Sequence, residues 1–184
     1  MTSANRHKTF ISYHHANDEN YKKEFKKIFS DIHDIIVPWD VEIGDIDPNL
    51  KTDTIRRKIR DEYLSDSSVT VVLIGSQTWQ RKHVDWEIYS SLRETSSNPR
   101  SGLVGILLPS HPNFNTPQIN QYTLPPRFYD NWNNGFAKLY RWTSNPNEVE
   151  KWIHEAFINR NKPNPLPNLQ RELFKNNRTG NQWQ

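Results

Sequence analysis

Val69-Thr70-Val71-Val72-Leu73-Ile74-Gly75-Ser76 decides the fold. Val69, Val71, Val72, Leu73 and Ile74 are apolar, and all but Leu73 are β-branched. An unbroken apolar run of this length suits a strand buried on both faces of a parallel sheet. The chain then turns polar through Gln77, Trp79, Arg81 and His83. Val84, Ile88 and Leu92 follow at i, i+4 and i+8, the spacing of a helix's core stripe. His83, Glu87 and Ser91 make a polar stripe beside it. A carboxylate early in a helix that follows a buried strand stands at the carboxyl edge of the sheet, where open α/β folds bind ligands. Glu87 is therefore the first candidate for function, against the ordinary alternative of a solvated helix-surface carboxylate.

Upstream, Phe10-Ile11-Ser12-Tyr13 reads as a first strand, with Asn17 or Asp18 as a helix cap beyond it. Tyr21, Phe25, Phe29 and Ile32 give the next helix its apolar face, and Lys22, Lys23, Lys26 and Lys27 its solvated one. Ile35-Ile36-Val37-Pro38-Trp39 reads as a second strand, which Pro38 confines to a sheet edge or strand end. An acid-rich loop covers residues 40–50, and Ile55, Ile59 and Tyr63 mark a second helix. Downstream, Leu103 to Leu108 repeats the buried-strand pattern. Residues 110–135 are rich in Asn and Pro and show no clear period, and Pro125-Pro126 is expected to be extended. Lys138 to Trp142 makes a short last strand. Ser144 or Asn145 caps a last helix, with Pro146 first and Val149, Ile153 and Phe157 as its stripe. Residues 1–160 are expected to form one domain. Residues 161–184, with prolines at 163, 165 and 167, form an extended or unordered extension with at most a short helix near 169–174. Strands alternating with helices predict an α/β fold: a flavodoxin-like three-layer arrangement around a mainly parallel five-stranded sheet.

Composition narrows the function. A net charge of +3 is no nucleic-acid-binding stripe, despite the pI near 9.1. With no cysteine, disulfides and thiolate metal sites are excluded, and a cytoplasmic protein fits. Residues 1–8 lack the apolar segment of a signal peptide, and no apolar run reaches membrane-spanning length. His7, His14 and His15 have no carboxylate or Cys pattern beside them, so no metal is expected. Asp40, Asp45 and Asp47 have the chemistry to bind Mg2+, although a loop of acids is more often simply a solvated one, and no phosphate-binding glycine loop is present.

Three segments together resemble a TIR domain (Toll/interleukin-1 receptor): Phe10 to Tyr13; Trp39-Asp40 with the acidic loop through Pro48; and Val71 to Ser76 with Trp79 and Glu87. Val72 to Trp79, ending in Trp86-Glu87-Ile88, is most similar to the TIR-like ThsB branch of the bacterial Thoeris anti-phage system. Many enzymes of the superfamily carry Trp four residues before the glutamate, and here that place holds His83.

The resemblance implies an NAD-cleaving enzyme with NAD as substrate and no separate cofactor. Glu87 would be catalytic, holding the ribose hydroxyls and stabilising the cation left when nicotinamide departs. Phe10, Ser12, Tyr13, Trp39, Asp40, Ser76, Trp79 and His83 would form the substrate-binding surroundings. The product implied is a cyclic ADP-ribose isomer, a diffusible signal that reaches an effector. Self-association is expected to complete the site, and no nucleic acid or membrane is involved. Two classes compete: a non-catalytic TIR-like interaction module, and an enzyme like the nucleoside deoxyribosyltransferases. A receiver-type phosphoacceptor ranks last, because the third strand ends in Gly75-Ser76 and not in Asp.

Overall fold

The computed structural model describes residues 6–39, 51–59, 61 and 64–183. Among these, five strands form one all-parallel sheet: β1 (His7–Ser12), β2 (Ile36–Trp39), β3 (Val69–Ile74), β4 (Gly102–Leu107) and β5 (Lys138–Arg141), in the order β2-β1-β3-β4-β5. This is the flavodoxin-like order, whose switch point lies between β1 and β3. Every residue of β3 and β4 is buried, as their continuous apolar runs require. Pro38 lies on the edge strand β2, where no ladder partner is needed on its outer side.

The helices α1 (His15–Lys26), α2 (Thr52–Lys58), α3 (Lys82–Leu92), α4 (Pro126–Asn133) and α5 (Pro146–Asn159) pack on two faces. Phe25 and Phe29 from the first helical segment and Val149, Ile153 and Ala156 from α5 meet Ile11, Val71 and Val104 on one face. Val84, Ile88 and Leu92 from α3 and Phe128 from α4 meet Val72, Ile74 and Leu103 on the other. A smaller cluster beside α2 joins Phe10, Ile55, Ile59, Leu64 and Trp86.

Four expectations need correction. His14, not Asn17 or Asp18, occupies the α1 cap position, and no side chain caps that end. The first helix runs on as a π-helix, Lys27–Ile32, whose wider turn swings Ile32 out of the apolar stripe to 59% exposure. Residues 110–135 contain α4: Pro125 is extended, but Pro126 opens the helix at its first position, where no amide proton is needed. The tail holds no helix at 169–174, within the expectation of at most a short one, but it is not an unordered extension: Phe174 and Trp183 are buried. The acidic loop at 40–50 and Tyr63 lie outside the described residues.

At Gly102 a β-carbon would stand 2.1 Å from the Ala156 carbonyl oxygen, which is helix backbone and cannot rotate away. Gly102→Ala is expected to destabilise the fold by about 1–3 kcal/mol or more. A lowered urea midpoint at unchanged slope would register it.

Candidate active site at the carboxyl edge of the sheet

Side chains alternate along β1, so Phe10 and Ser12 face the α3 side while Ile11 faces α1. Ser12 closes β1 at the switch point, and Glu87 comes to meet it from the second turn of α3. The Ser12 hydroxyl donates to Glu87 Oε2. Glu87 is 1% exposed, and Ser91, one turn on, is fully buried. The polar stripe of α3 thus turns inward, not to solvent. Burial pushes the Glu87 carboxyl up to about 8, against a smaller downward pull from the Ser12 hydrogen bond.

A cavity of 290 Å³ opens beside this pair, lined by Tyr13, His14, His15, Ala16, Arg81, His83 and Val84. Its walls are the β1–α1 turn and the first turn of α3. The lining holds one arginine and three histidines and no carboxylate. Nδ1 of both His14 and His83 is buried without a hydrogen-bond partner. Burial lowers the His14 pKa to about 4, helped by Arg81 and His15. His83 is lowered by the same kind of burial and by Lys82, Arg81 and His15. Both shifts favour the neutral ring, and Arg81, beside the N-terminal turns of α1 and α3, supplies a standing positive charge. Such a cavity suits an anionic group.

A second buried carboxylate closes the far side of this edge. Asp18 is 1% exposed and lies against Gly75, where a β-carbon would come within 2.4 Å of its Oδ2. The Thr78 hydroxyl accepts from the Gly75 amide at 2.8 Å. It lies 3.4 Å from both Asp18 Oδ2 and the Leu73 carbonyl, and can give its one proton to either. Ser110 donates to Asp18 Oδ1. Burial raises the Asp18 pKa, and the Ser110 and Thr78 bonds oppose that shift. This cluster fixes the turn between β3 and α3.

The candidate residues do not all converge. Ser12 and Glu87 touch; Tyr13 and His83 line the cavity, Tyr13 stacked on His15 with ring centres 4.3 Å apart. Phe10 and Trp79 are buried, Phe10 in the α2 cluster. Trp39 is half-buried at the end of edge strand β2, with the Lys8 ammonium 5.5 Å from its ring centre. Ser76 is exposed in the turn after β3. Asp40 lies outside the described residues. At the place of the usual Trp, His83 packs edge-on against Trp86, ring centres 5.4 Å apart. His14, His15, Arg81 and Asp18 were not singled out for this edge from sequence. The signal for the first three was their position just past the ends of two strands.

Among the described residues no group of three or more His, Asp or Glu is placed to hold a metal ion. His7 begins β1 and bonds His154, 3.0 Å away, while His14 and His15 lie past the other end of that strand. Nor is any described helix long and apolar enough to cross a membrane.

Comparison with known proteins adds one positive finding. A family model described as "Thoeris protein ThsB, TIR-like domain" matches residues 10–113, from β1 through the turn after β4. No curated protein matches the chain significantly.

Proposed function

The chain belongs to the Thoeris ThsB TIR-like family, and from that membership we propose that it cleaves NAD at the nicotinamide–ribose bond and forms a cyclic ADP-ribose isomer as a signal in anti-phage defence. The observation that carries this is the Ser12–Glu87 pair: a buried carboxyl group at the switch point, next to a cavity suited to phosphate.

Breaking the bond sends its electron pair to nicotinamide, which leaves neutral, and the ribosyl carbon becomes cationic. An ionised Glu87 in a water-poor site stabilises that charge far better than it would in water. Arg81 and the neutral histidines would hold the pyrophosphate, with Tyr13 and Trp39 flanking the rings. Capture of the cation by a nucleophile of the same nucleotide closes the cyclic product and releases one proton, whereas capture by water gives ADP-ribose. Exclusion of water therefore decides the product. The same reading places the protein in the cytoplasm. There it self-associates to complete the site and reaches its effector only through the released nucleotide.

Glu87 must lose its proton to act, and the bound pyridinium cation favours that loss. In the free enzyme, kcat/KM is thus expected to rise with pH to a plateau above about 8. Nicotinamide release should be followed at high protein concentration and in phage-infected lysate, with Glu87→Gln alongside. A fall in kcat of at least about 10²-fold is expected for the variant. Undiminished turnover by Glu87→Gln removes the proposal. One observation favours a second reading, a non-catalytic interaction module: Glu87 is 1% exposed and does not itself line the cavity. Absence of turnover in every state would select that reading. Release of free base from nucleosides, with NAD untouched, would select the deoxyribosyltransferase-like one.

A further inference from the structure

The family match ends at residue 113, yet the helix that carries Glu87 is held from outside that region. Beyond α5 the chain crosses the outer side of α4 and then runs along the N-terminal half of α3. The Phe174 amide donates to Asp85 Oδ2 at 3.0 Å, and Trp86 Nε1 donates to the Phe174 carbonyl at 2.9 Å. One tail residue thus grips the two side chains that immediately precede Glu87. Further on, the Lys82 amide donates to Asn177 Oδ1 at 3.0 Å. Arg81 occupies the α3 cap position and supplies no side-chain acceptor, so Asn177 does a cap's work from 95 residues away. The Arg178 amide donates to the Gln80 carbonyl at 2.7 Å, and Gln80 Nε2 donates to the Gly180 carbonyl at 2.8 Å. Further along, the segment is pinned by Trp183, 8% exposed, whose Nε1 donates to the Leu124 carbonyl at 2.7 Å.

These contacts fall on residues 80, 82, 85 and 86, one after another up to Glu87. On the inner side of α3, Glu87 meets Ser12, and His83 and Val84 line the cavity. The helix is therefore clamped between the sheet and the tail. Its entry turn, which sets where His83 and Glu87 stand, takes its cap from the tail and not from its own sequence.

We propose that residues 171–183 form a strap that positions α3, so that Asn177 and Phe174 are positioning residues for Glu87. This role in turnover rests on the catalytic reading of Glu87, while the strap's hold on the helix does not. The strap's bonds to α3 come largely from tail main chain and from one exposed amide side chain, Asn177.

The test uses full-length protein. Asn177→Ala removes the acceptor, whereas Asn177→Asp keeps one and adds a charge that suits a helix N-terminus. Hydrogen exchange of the amides of residues 82–87 is expected to speed up about 2–30-fold in Asn177→Ala, the kinetic equivalent of a lost cap. Exchange in β4 and α5 should stay unchanged, and Asn177→Asp should match the parent. Trp183→Ala, which frees the end of the strap, should speed the same amides. In NAD turnover, Asn177→Ala should lose about tenfold or more in kcat with a smaller change in KM, because a displaced carboxylate misses the transition state more than the bound substrate. Unchanged exchange in both Asn177→Ala and Trp183→Ala overturns the strap. Faster exchange with an unaltered kcat overturns its positioning role. If the parent turns over no NAD at all, the catalytic reading falls, and exchange alone decides whether the tail holds α3.

Discussion

Glu87→Gln should be harder to unfold than the parent at pH 9, although it is expected to be inactive. The Glu87 carboxyl titrates near 8 in the folded chain and near 4.5 when exposed. Below pH 4.5 both states hold the proton, and titration changes nothing. Between 4.5 and 8 the unfolded chain releases it while the folded chain keeps it, so each pH unit lowers stability by about 1.4 kcal/mol. Above 8 both states are ionised and the penalty is constant, of order 5 kcal/mol in total. Glutamine has no proton to lose, fills nearly the same volume, and its carbonyl oxygen still accepts from Ser12. Urea unfolding of the two proteins at pH 5 and pH 9 isolates this term. Near-equal stability at pH 5 and a variant ahead by more than about 2 kcal/mol at pH 9 is the expected outcome. Two parallel pH curves would show that Glu87 is not sealed as the geometry has it. A carboxyl group that weakens its own fold at neutral pH is placed for a reason other than packing, and catalysis supplies one.

What the sequence discloses here depends on whether the deciding interaction is local. Val69 to Ile74 could be assigned to a central parallel strand because burial on both faces writes itself as an unbroken apolar run. Val84, Ile88 and Leu92 likewise declare the core face of α3. Glu87 could be placed at the edge of the sheet, but not known to be buried, since its partner Ser12 is 75 residues away on β1. The cavity is made by two turns that meet only once β1 and β3 are neighbours, so His14 and Arg81 have no shared pattern in the chain. α4 was hidden for a different reason. Its face toward α3 and the tail carries Arg127 and Asn131, both fully buried, and polar letters on a buried face erase the helical period. The tail was opaque because it is held largely by main-chain groups, which every residue possesses. Ile32 misled because a π-turn shifts the period without any change in residue type.

The heaviest single stability loss among these side chains is expected from Arg127→Met. Arg127 and Asp85 are 0% and 2% exposed and form two bonds, Nε to Oδ1 at 2.8 Å and Nη2 to Oδ2 at 3.3 Å. Arg127 also donates to the carbonyls of Arg171 and Glu172, so the same guanidinium joins α3, α4 and the start of the strap. Removing it leaves the Asp85 charge in the interior with the Phe174 amide bond and the longer-range attraction of Arg171 and Arg178. Breaking a buried pair from one side costs about 3–5 kcal/mol, most of it the uncompensated charge. The double variant Arg127→Met, Asp85→Leu removes both desolvation penalties together. It should recover a large part of that loss, short of the whole, since the Phe174 amide and two tail carbonyls then lose their partners. A double-mutant cycle in urea reads the coupling directly. Losses that simply add, or a single variant within about 1 kcal/mol of the parent, would mean that the pair is wetter than its geometry indicates. The location of the damage is as informative as its size. Because Asp85 stands two residues before Glu87, Arg127→Met should also lower activity in whatever fraction remains folded, whereas Gly102→Ala, on the far side of the sheet, should cost stability and leave turnover per folded molecule unchanged.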